Sequence, residues 1–377
     1  NLVNAVLGAR VLKRKYAVLL AGVAVILGAT FSSPVVDTVR KGIFDLGALN
    51  AEMAVSIFIS AYLVGTVLLY SFSAFGMPVS TTATLVFSLA GGAIGVTGSR
   101  GIVHWEQLLQ VSMAILVSIV MSGCGSFLAQ RLFRKAIGQD AQQHDRVLKH
   151  GPWITGLILM AMLWFMLVKG MRFLPFVQEL NKLMVDPWNV GALLLGLFVG
   201  TSLLTLGALL ASGRKGTKYL FHFTAILGML CMAFAFGQND LANCASPGLA
   251  ILMIQQQGLH EGLTINVPIW SLSVCGLLMF IGMQTKRAQR VTRAEMNTAS
   301  QQSKVNLYAP DWCCKLASWV SKRSQEAQAV DNEEFTPKEL RNHEGKKLHY
   351  DSLRASVILS VGACIIAFAS GLGLPVS

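Results

Sequence analysis

The sequence predicts an all-α polytopic membrane protein, built from two inverted repeats with broken or re-entrant helices meeting at mid-membrane. Three observations carry that prediction. The 377 residues are 53% hydrophobic and only 13% charged, with a mean hydropathy of +0.55, which is too apolar for an ordinary soluble domain. Apolar runs long enough to cross a bilayer recur along the chain. Two short polar strings each occur twice, in the same order, beside or within those runs.

The first full span, residues 16–36, follows basic Arg10, Lys13, Arg14 and Lys15 and ends in a polar turn with Asp37, Arg40 and Lys41. A second span covers 51–75. The string Gly76-Met77-Pro78-Val79-Ser80-Thr81-Thr82 then opens a run of small residues ending in Gly91-Gly92-Ala93-Ile94-Gly95, which permits close helix contact. A span at 108–129 leads into a basic loop with Arg131, Arg134, Lys135, Arg146 and Lys149. Two more, at 153–174 and 188–211, lead to Arg214, Lys215 and Lys218. Two crossings separate these basic clusters, so they share a side, which the positive-inside rule makes cytoplasmic.

The run 219–254 is too long for one simple crossing. Its Gly-Gln-Asn-Asp centre predicts a broken helix or a re-entrant hairpin. A span at 268–283 precedes a polar stretch, 285–353, whose weak hydrophobic patterning predicts partial disorder. Its juxtamembrane Lys286, Arg287, Arg290 and Arg293 place it in the cytoplasm. The last span is 355–372. The chain lacks an initiator Met and stops in mid-motif at Leu374-Pro375-Val376-Ser377, so it reads as a trimmed domain.

The duplication sets the division into parts. Gly76-Met77-Pro78-Val79-Ser80 returns as Gly373-Leu374-Pro375-Val376-Ser377, and Asp240-Leu241-Ala242-Asn243-Cys244 aligns with Asn1-Leu2-Val3-Asn4-Ala5. Asn4 and Pro78 lie 74 positions apart, Asn243 and Pro375 lie 132 apart, and the excess of 58 is close to the size of the polar stretch. The second copy is therefore the first with a loop inserted. Residues 1–130 form a first repeat, 131–218 a connecting basic loop with two linking spans, 219–284 with 354–377 a second repeat, and 285–353 a cytoplasmic loop. Duplicated halves with polar breaks at matching depth mark a secondary transporter, with its site at the repeat interface.

The strings suggest what that site holds. Asp240 is the sole acidic residue of its run, and a charge at bilayer depth is too costly to be placed there idly. With the amides of Asn239 and Asn243 and any freed carbonyls it offers hard oxygens suited to a small cation such as Na⁺; the bland alternative is a buried Asp that locks two helices. Pro78-Val79-Ser80-Thr81-Thr82 reads as a helix start within the membrane. Such a start offers unpaired N–H groups and a positive dipole end to an anion, and three hydroxyls add donors. The bland reading there is a capped helix whose hydroxyls bond back to the preceding turn. Pro375-Val376-Ser377 would supply a second, facing start. A cation beside an anion lowers the electrostatic cost of both, which is a physical basis for coupling.

Other features weigh less. The net charge of +12 fits cytoplasmic loops, and no basic patch has the aromatic interleaving of a nucleic-acid binder. Seven scattered cysteines (124, 231, 244, 275, 313, 314 and 364) form no disulfide framework, and five of them sit in apolar runs as small hydrophobes. The absence of HExxH and GxSxG speaks against a membrane-embedded hydrolase with Asp240 as base. His222 reads as an interfacial histidine ahead of a proton relay. Glu52 and Glu106 belong at headgroup level, and Trp153, Trp164, Trp188 and Trp270 in an aromatic belt.

At Gly237-Gln238-Asn239-Asp240-Leu241-Ala242-Asn243-Cys244 and at Gly76-Met77-Pro78-Val79-Ser80-Thr81-Thr82 the sequence resembles the inorganic phosphate transporter (PiT) family. That family carries a Gly-Ala-Asn-Asp-x-x-Asn-Ala string and a Gly-x-Pro-Val-Ser-Thr-Thr string in each half. The resemblance covers essentially the whole chain outside the polar loop. It implies cotransport of inorganic phosphate with Na⁺ or H⁺, with Asn239, Asp240 and Asn243 coordinating the cation and Ser80, Thr81, Thr82 and Ser377 contacting phosphate. Asn1 and Asn4 are the first-half counterparts of the cation set. This chain departs from the family pattern at Gln238 and Cys244 (both Ala there), at Asn1 (Asp), at Ala83 (often His) and at Val25 (often acidic). Fewer acids imply either a changed stoichiometry or proton coupling. The resulting expectation is a multi-pass plasma-membrane importer of phosphate that is not an enzyme. It needs no cofactor beyond its coupling ion, and a homo-oligomer is open to it. A carrier for another oxyanion such as sulfate, and a passive anion channel, are the alternatives.

Overall fold

Helices account for almost all of the described chain, as a run of apolar residues in lipid requires when every backbone group must be satisfied internally. The computed structural model describes residues 2–30, 43–77, 79–138, 144–169, 175–183, 187–257, 269–285 and 351–371. Asn1, Ser377 and the polar loop 286–350 lie outside the described residues. The elements are α1 (Asn4–Gly8), α2 (Arg14–Thr30), α3 (Ala51–Phe75), α4 (Thr81–Thr97), α5 (Trp105–Ile137), α6 (His144–Leu163), α7 (Pro175–Leu183), α8 (Pro187–Gln257), α9 (Ile269–Gln284) and α10 (Ser352–Gly371). A π-helical turn, Trp164–Lys169, continues α6. Among the described residues the sole β pairing is an isolated bridge between Phe44 and Val103.

Local chemistry sets the helix ends. Asn50 caps α3 by accepting from the Met53 N–H at 2.8 Å, and the helix stops where Gly76 takes φ 75°, a left-handed turn that glycine adopts without steric cost. Glu106 in the first turn of α5 and Arg134 and Lys135 in its last complement the helix dipole. Asp351 caps α10, accepting from the Arg354 N–H at 2.9 Å, and its other oxygen pairs with Arg134 at the end of α5.

Five helices among the described residues, including α3, α5 and α10, are long and apolar enough to cross a membrane. At 17 residues α4 is about 25 Å long, short of the roughly 30 Å hydrocarbon core. The outward face of α5 carries Leu109, Leu116, Val120 and Leu128, each more than half exposed, as a lipid-facing helix should.

The run 219–254 departs from expectation. It is part of α8, whose backbone leaves helical geometry at Gly213 (φ 56°) and not at the Gly-Gln-Asn-Asp centre. Gly213 therefore divides α8 into α8a (187–212) and α8b (214–257), and the predicted break or hairpin at 237–240 is a helix instead. The reason lies in packing. A Cβ on Gly237 would stand 2.2 Å from the Val25 carbonyl oxygen, and one on Gly28 would stand 2.0 Å from that of Phe234. Gly237 thus serves a close helix crossing between α2 and α8b. Trp164 also departs from the aromatic belt: it is 8% exposed, packed inside at the π-helical turn, whereas Trp188 and Trp270 are largely exposed.

Three of the core clusters place the site. Val6, Val18, Ala21, Met229 and Leu359 join α1, α2, α8b and α10. Ile57, Leu89, Ala250 and Ile254 join α3, α4 and the end of α8b. Ile154, Leu209, Phe221 and Val357 join α6, α8 and α10. Between the first two clusters, α8b carries its polar string.

Candidate functional site

The site forms where α4 begins against the middle of α8b. Ser80 caps α4, its Oγ accepting from the Ala83 N–H at 3.0 Å, and its carbonyl takes the Thr84 hydroxyl at 2.8 Å. The bland reading of the Ser-Thr-Thr string therefore holds in part, for the Ser80 oxygen and for Thr84. Thr81 and Thr82 point elsewhere. The Thr81 hydroxyl donates to Asp240 Oδ1 at 3.1 Å. Asn243 Nδ2 donates to Thr82 Oγ1 at 2.7 Å and stands 3.5 Å from Thr81 Oγ1. Asn239 Nδ2 donates to the same Asp240 oxygen at 3.3 Å.

Helical spacing explains the convergence. Residues 239, 240, 243 and 246 recur at three- and four-residue intervals, so they share one face of α8b. Most of that face is buried: Asn239 is 1%, Asn243 3% and Ser246 1% exposed, and Thr82 opposite is 0%, while Asp240 itself is half-buried. Asn243 Oδ1 and Ser246 Oγ are buried without a hydrogen-bond partner among the described residues. Buried polar atoms in native proteins are nearly always satisfied, so these two oxygens, on the face that carries Asp240, are acceptors open to a water or an ion. The donor set is hard oxygen, which fits Na⁺ or another small cation. Among the described residues, no group of three His, Cys, Asp or Glu offers a transition-metal site.

Beside this cluster lies a cavity of about 280 Å³ lined by Tyr62, Thr66, Thr81, Asn243, Cys244 and Pro247, among others. The first-turn amides of Thr81 and Thr82 have no intrahelical acceptor, as at any helix start.

Of the expected site residues, Thr81, Thr82, Asn239, Asp240 and Asn243 come together, with Ser80 one position away at the cap. Asn4 does not join them. It is buried in α1, whose Val3, Ala5 and Val6 pack with Ala225, Met229 and Ala355, well before Asp240 along α8b. Tyr62 and Thr66 were not foreseen, because α3 carries no motif; their four-residue spacing on one helical face is the one signal. Ser246, two residues past Cys244, falls on the same helical face by spacing alone.

Comparison with known proteins bears on this geometry. A sequence model described as "Phosphate transporter family" matches residues 1–294. Among curated relatives, a "Putative phosphate permease" of Pyrococcus horikoshii is 28% identical over 295 residues, spanning 76% of this chain and 69% of its own. One of Thermococcus kodakarensis is likewise 28% identical, over 76% and 69%. One of Helicobacter pylori is 25% identical over 75% of this chain and 53% of its own. A solved structure entitled "The sodium-dependent phosphate transporter" superposes with a TM-score of 0.71 at 20% identity, covering all of this chain and 81% of that one; at that identity the likeness concerns the fold.

Proposed function

The chain belongs to the phosphate transporter family, and from that premise we propose that it is a secondary active carrier importing inorganic phosphate with Na⁺ or H⁺. One observation carries the reading: the Thr81–Asp240 hydrogen bond ties the start of α4 to the sole carboxylate of the 219–254 run. The α4 start supplies donors for an oxyanion: the amides of Thr81 and Thr82 and the Ser80 and Thr82 hydroxyls, with the Thr81 hydroxyl joining them once it releases Asp240. Asp240, Asn239, Asn243 and Ser246 supply oxygens for the cation. An anion and a cation at adjoining sites stabilise each other in a low-dielectric setting, so loading one favours loading the other.

Inverted repeats are part of the proposal, with Ser377 as the second-half equivalent of Ser80 and the Asn1–Asn4 string as the first-half equivalent of the Asp240–Asn243 string. Helix directions support it. Thr224 meets Ser356 and Gly228 meets Ser360, so α10 runs with α8b. Residues 61–69 line the cavity with 243–247, and Ile57 clusters with Ala250 and Ile254, so α3 runs against it. The two helices that precede the Pro-Val-Ser strings thus run oppositely. Their counterparts after the Asn strings, α2 and α9, do too, with Gly22 against Phe280 and Ala29 against Gly276.

The same registers support a cytoplasmic placement for the basic end. The starts of α2 and α10, the end of α9 and the 214–218 cluster fall together there. His144 at the head of α6 bonds Thr217 at 2.8 Å. The loop 285–353 leaves and re-enters at that end in this reading.

Uptake of labelled phosphate into liposomes containing the purified protein, under imposed Na⁺ or H⁺ gradients, tests the proposal. Accumulation that follows one gradient is expected. Flux indifferent to both would mean a channel, preferred accumulation of sulfate would mean another oxyanion carrier, and no uptake at all would refute transport.

A further inference from the structure

A second cavity, an open groove of about 580 Å³, lies away from the polar string, between α2, α6 and α8. Its α2 wall runs from Leu20 to Leu27, its α6 wall from Leu159 to Met166 and its α8b wall from Leu227 to Phe234. Each wall advances seven positions, about 10 Å along its helix. Thr201 of α8a brings the one hydroxyl of the lining, and it is spent on the Gly156 and Leu197 carbonyls. The three walls run the same way. Val18 packs with Met229 and Val25 lies against Gly237, so α2 follows α8b. His144 meets Thr217 and Gly151 lies against Leu220, so α6 follows it too. The near end of the groove therefore faces the basic heads of these helices.

Charge and depth say what fills it. Exposed Lys13 and Tyr16 stand seven residues, two turns, before Leu20 and Val23 of the α2 wall. Exposed Tyr219 stands eleven residues, three turns, before Leu230 on α8b, with Lys218 Nζ 5.4 Å from its ring centroid. Tyrosine and lysine are side chains of the membrane interface. Along α2 the groove begins about 10 Å past Lys13 and ends about 10 Å deeper. Half of a roughly 30 Å hydrocarbon core is about 15 Å, so this is the depth of the tails in the leaflet at the basic end. The deep end is made by Met162 and by Met166 of the π-helical turn. Such turns concentrate at functional sites, and flexible thioethers adapt to a mobile chain.

We propose that the groove holds one acyl chain of an anionic phospholipid from that leaflet, its phosphate paired with Lys13 and Lys218. Lipid on an open helix face has no such mouth to read its headgroup; here a fixed apolar slot ends under two cations, which select negative charge. The inference goes beyond the transport reading and does not rest on it.

The test is photolabelling of the whole chain in lipid nanodiscs. The probes are phosphatidylglycerol with a diazirine at mid-chain and phosphatidylcholine with the same chain, each as a minor component, with adducts located by peptide mass spectrometry. Phosphatidylglycerol should label the three walls severalfold more than the exposed α5 face at Leu116, Val120 and Leu128. It should also label them severalfold more than phosphatidylcholine does. Replacing both lysines, Lys13→Gln with Lys218→Gln, should erase the headgroup preference and leave labelling of α5 unchanged. Val23 is a lining residue 47% exposed; Val23→Trp should fill the groove and cut labelling of the α6 and α8b walls severalfold, whereas Val23→Ala should keep it. Walls labelled no more than α5, equal labelling by the two lipids, or a preference that survives loss of both lysines would overturn the inference. So would a groove that stays unlabelled because a second copy of the chain covers it.

Discussion

Adding one methyl group at Gly237 probes the arrangement most directly. An alanine Cβ there would stand 2.2 Å from the Val25 carbonyl oxygen and 2.9 Å from the Ala29 nitrogen, where ordinary contact begins at 3.4 Å. Both obstacles are backbone atoms of α2, so no side chain can swing away, and α2 and α8b must part by roughly 1 Å. Overpacking of this kind costs about 1–3 kcal/mol. Asp240 lies three residues farther, about 4.5 Å along the helix, and moves with it relative to Thr81, whose 3.1 Å hydrogen bond has little slack. A misplacement on the order of 1 Å can cost about a hundredfold in a positioned site. Gly237→Ala should therefore lower the melting temperature in detergent and cut phosphate uptake in liposomes far more than its loss of folded protein explains. Gly28→Ala, with the Phe234 oxygen at 2.0 Å, should behave alike. Gly91→Ala is the control: nothing lies within 4 Å of its new Cβ, and alanine is the better helix former by up to about 1 kcal/mol. Wild-type stability and uptake in Gly237→Ala, or equal damage from Gly91→Ala, would refute the crossing.

Further expectations concern single contacts. Asp240→Asn keeps the shape and removes the charge; the half-saturating concentration of the coupling cation in uptake assays should rise about tenfold or more, a loss of roughly 1.4 kcal/mol. Ser80→Ala should cost about 1 kcal/mol in thermal denaturation through the lost cap of α4, and Ser80→Gly only a few tenths. Thr82→Val strands the Asn243 amide that donates to it at 2.7 Å and should cost about 1–3 kcal/mol, with Thr82→Ser restoring most of it. The part-buried Arg134–Asp351 pair should show a coupling of about 1–2 kcal/mol in a double-mutant cycle on melting, since hydrogen bonds between charged groups exceed neutral ones.

How far the site could be read in advance depends on the scale of the cause. Asp240, Asn239 and Asn243 stood out because a carboxylate and two amides are anomalous in an apolar run, and their helical spacing already put them on one face. That Thr81 and Thr82 meet them, while the Ser80 oxygen closes its own helix, depends on the angle at which α4 docks, which no local pattern encodes. The position of the break shows the same division. Gly213 precedes the basic Arg214-Lys215 pair between two predicted spans, where a turn is legible, whereas Gly237 lies inside an apolar run, and only the Val25 backbone against it decides that it permits a crossing and not a break. Val25 was singled out as apolar where an acid is common in the family. Here it is 1% exposed, packed in the core that α2 shares with α8b. Tyr62 and Thr66 escaped notice because they line the cavity from α3, a helix whose sequence is otherwise uniform membrane span.

Counting donors and acceptors gives the proposed coupling its physical form. Asp240 can only accept, and one of its oxygens already takes both the Thr81 hydroxyl and the Asn239 amide. Asn243 spends its amide on Thr82, which leaves its own oxygen and that of Ser246 unsatisfied. This face of α8b thus carries a surplus of acceptors, which a cation relieves and an anion does not. The start of α4 carries the opposite surplus, N–H groups with no helical carbonyl to take. A single ion would relieve one surplus and leave the other exposed to low dielectric, whereas a pair relieves both. Under the proposed function, that mutual dependence is what makes phosphate and cation travel together, and it predicts that Asp240→Asn weakens phosphate binding as well as cation binding, by the reciprocity any linked pair of sites must obey.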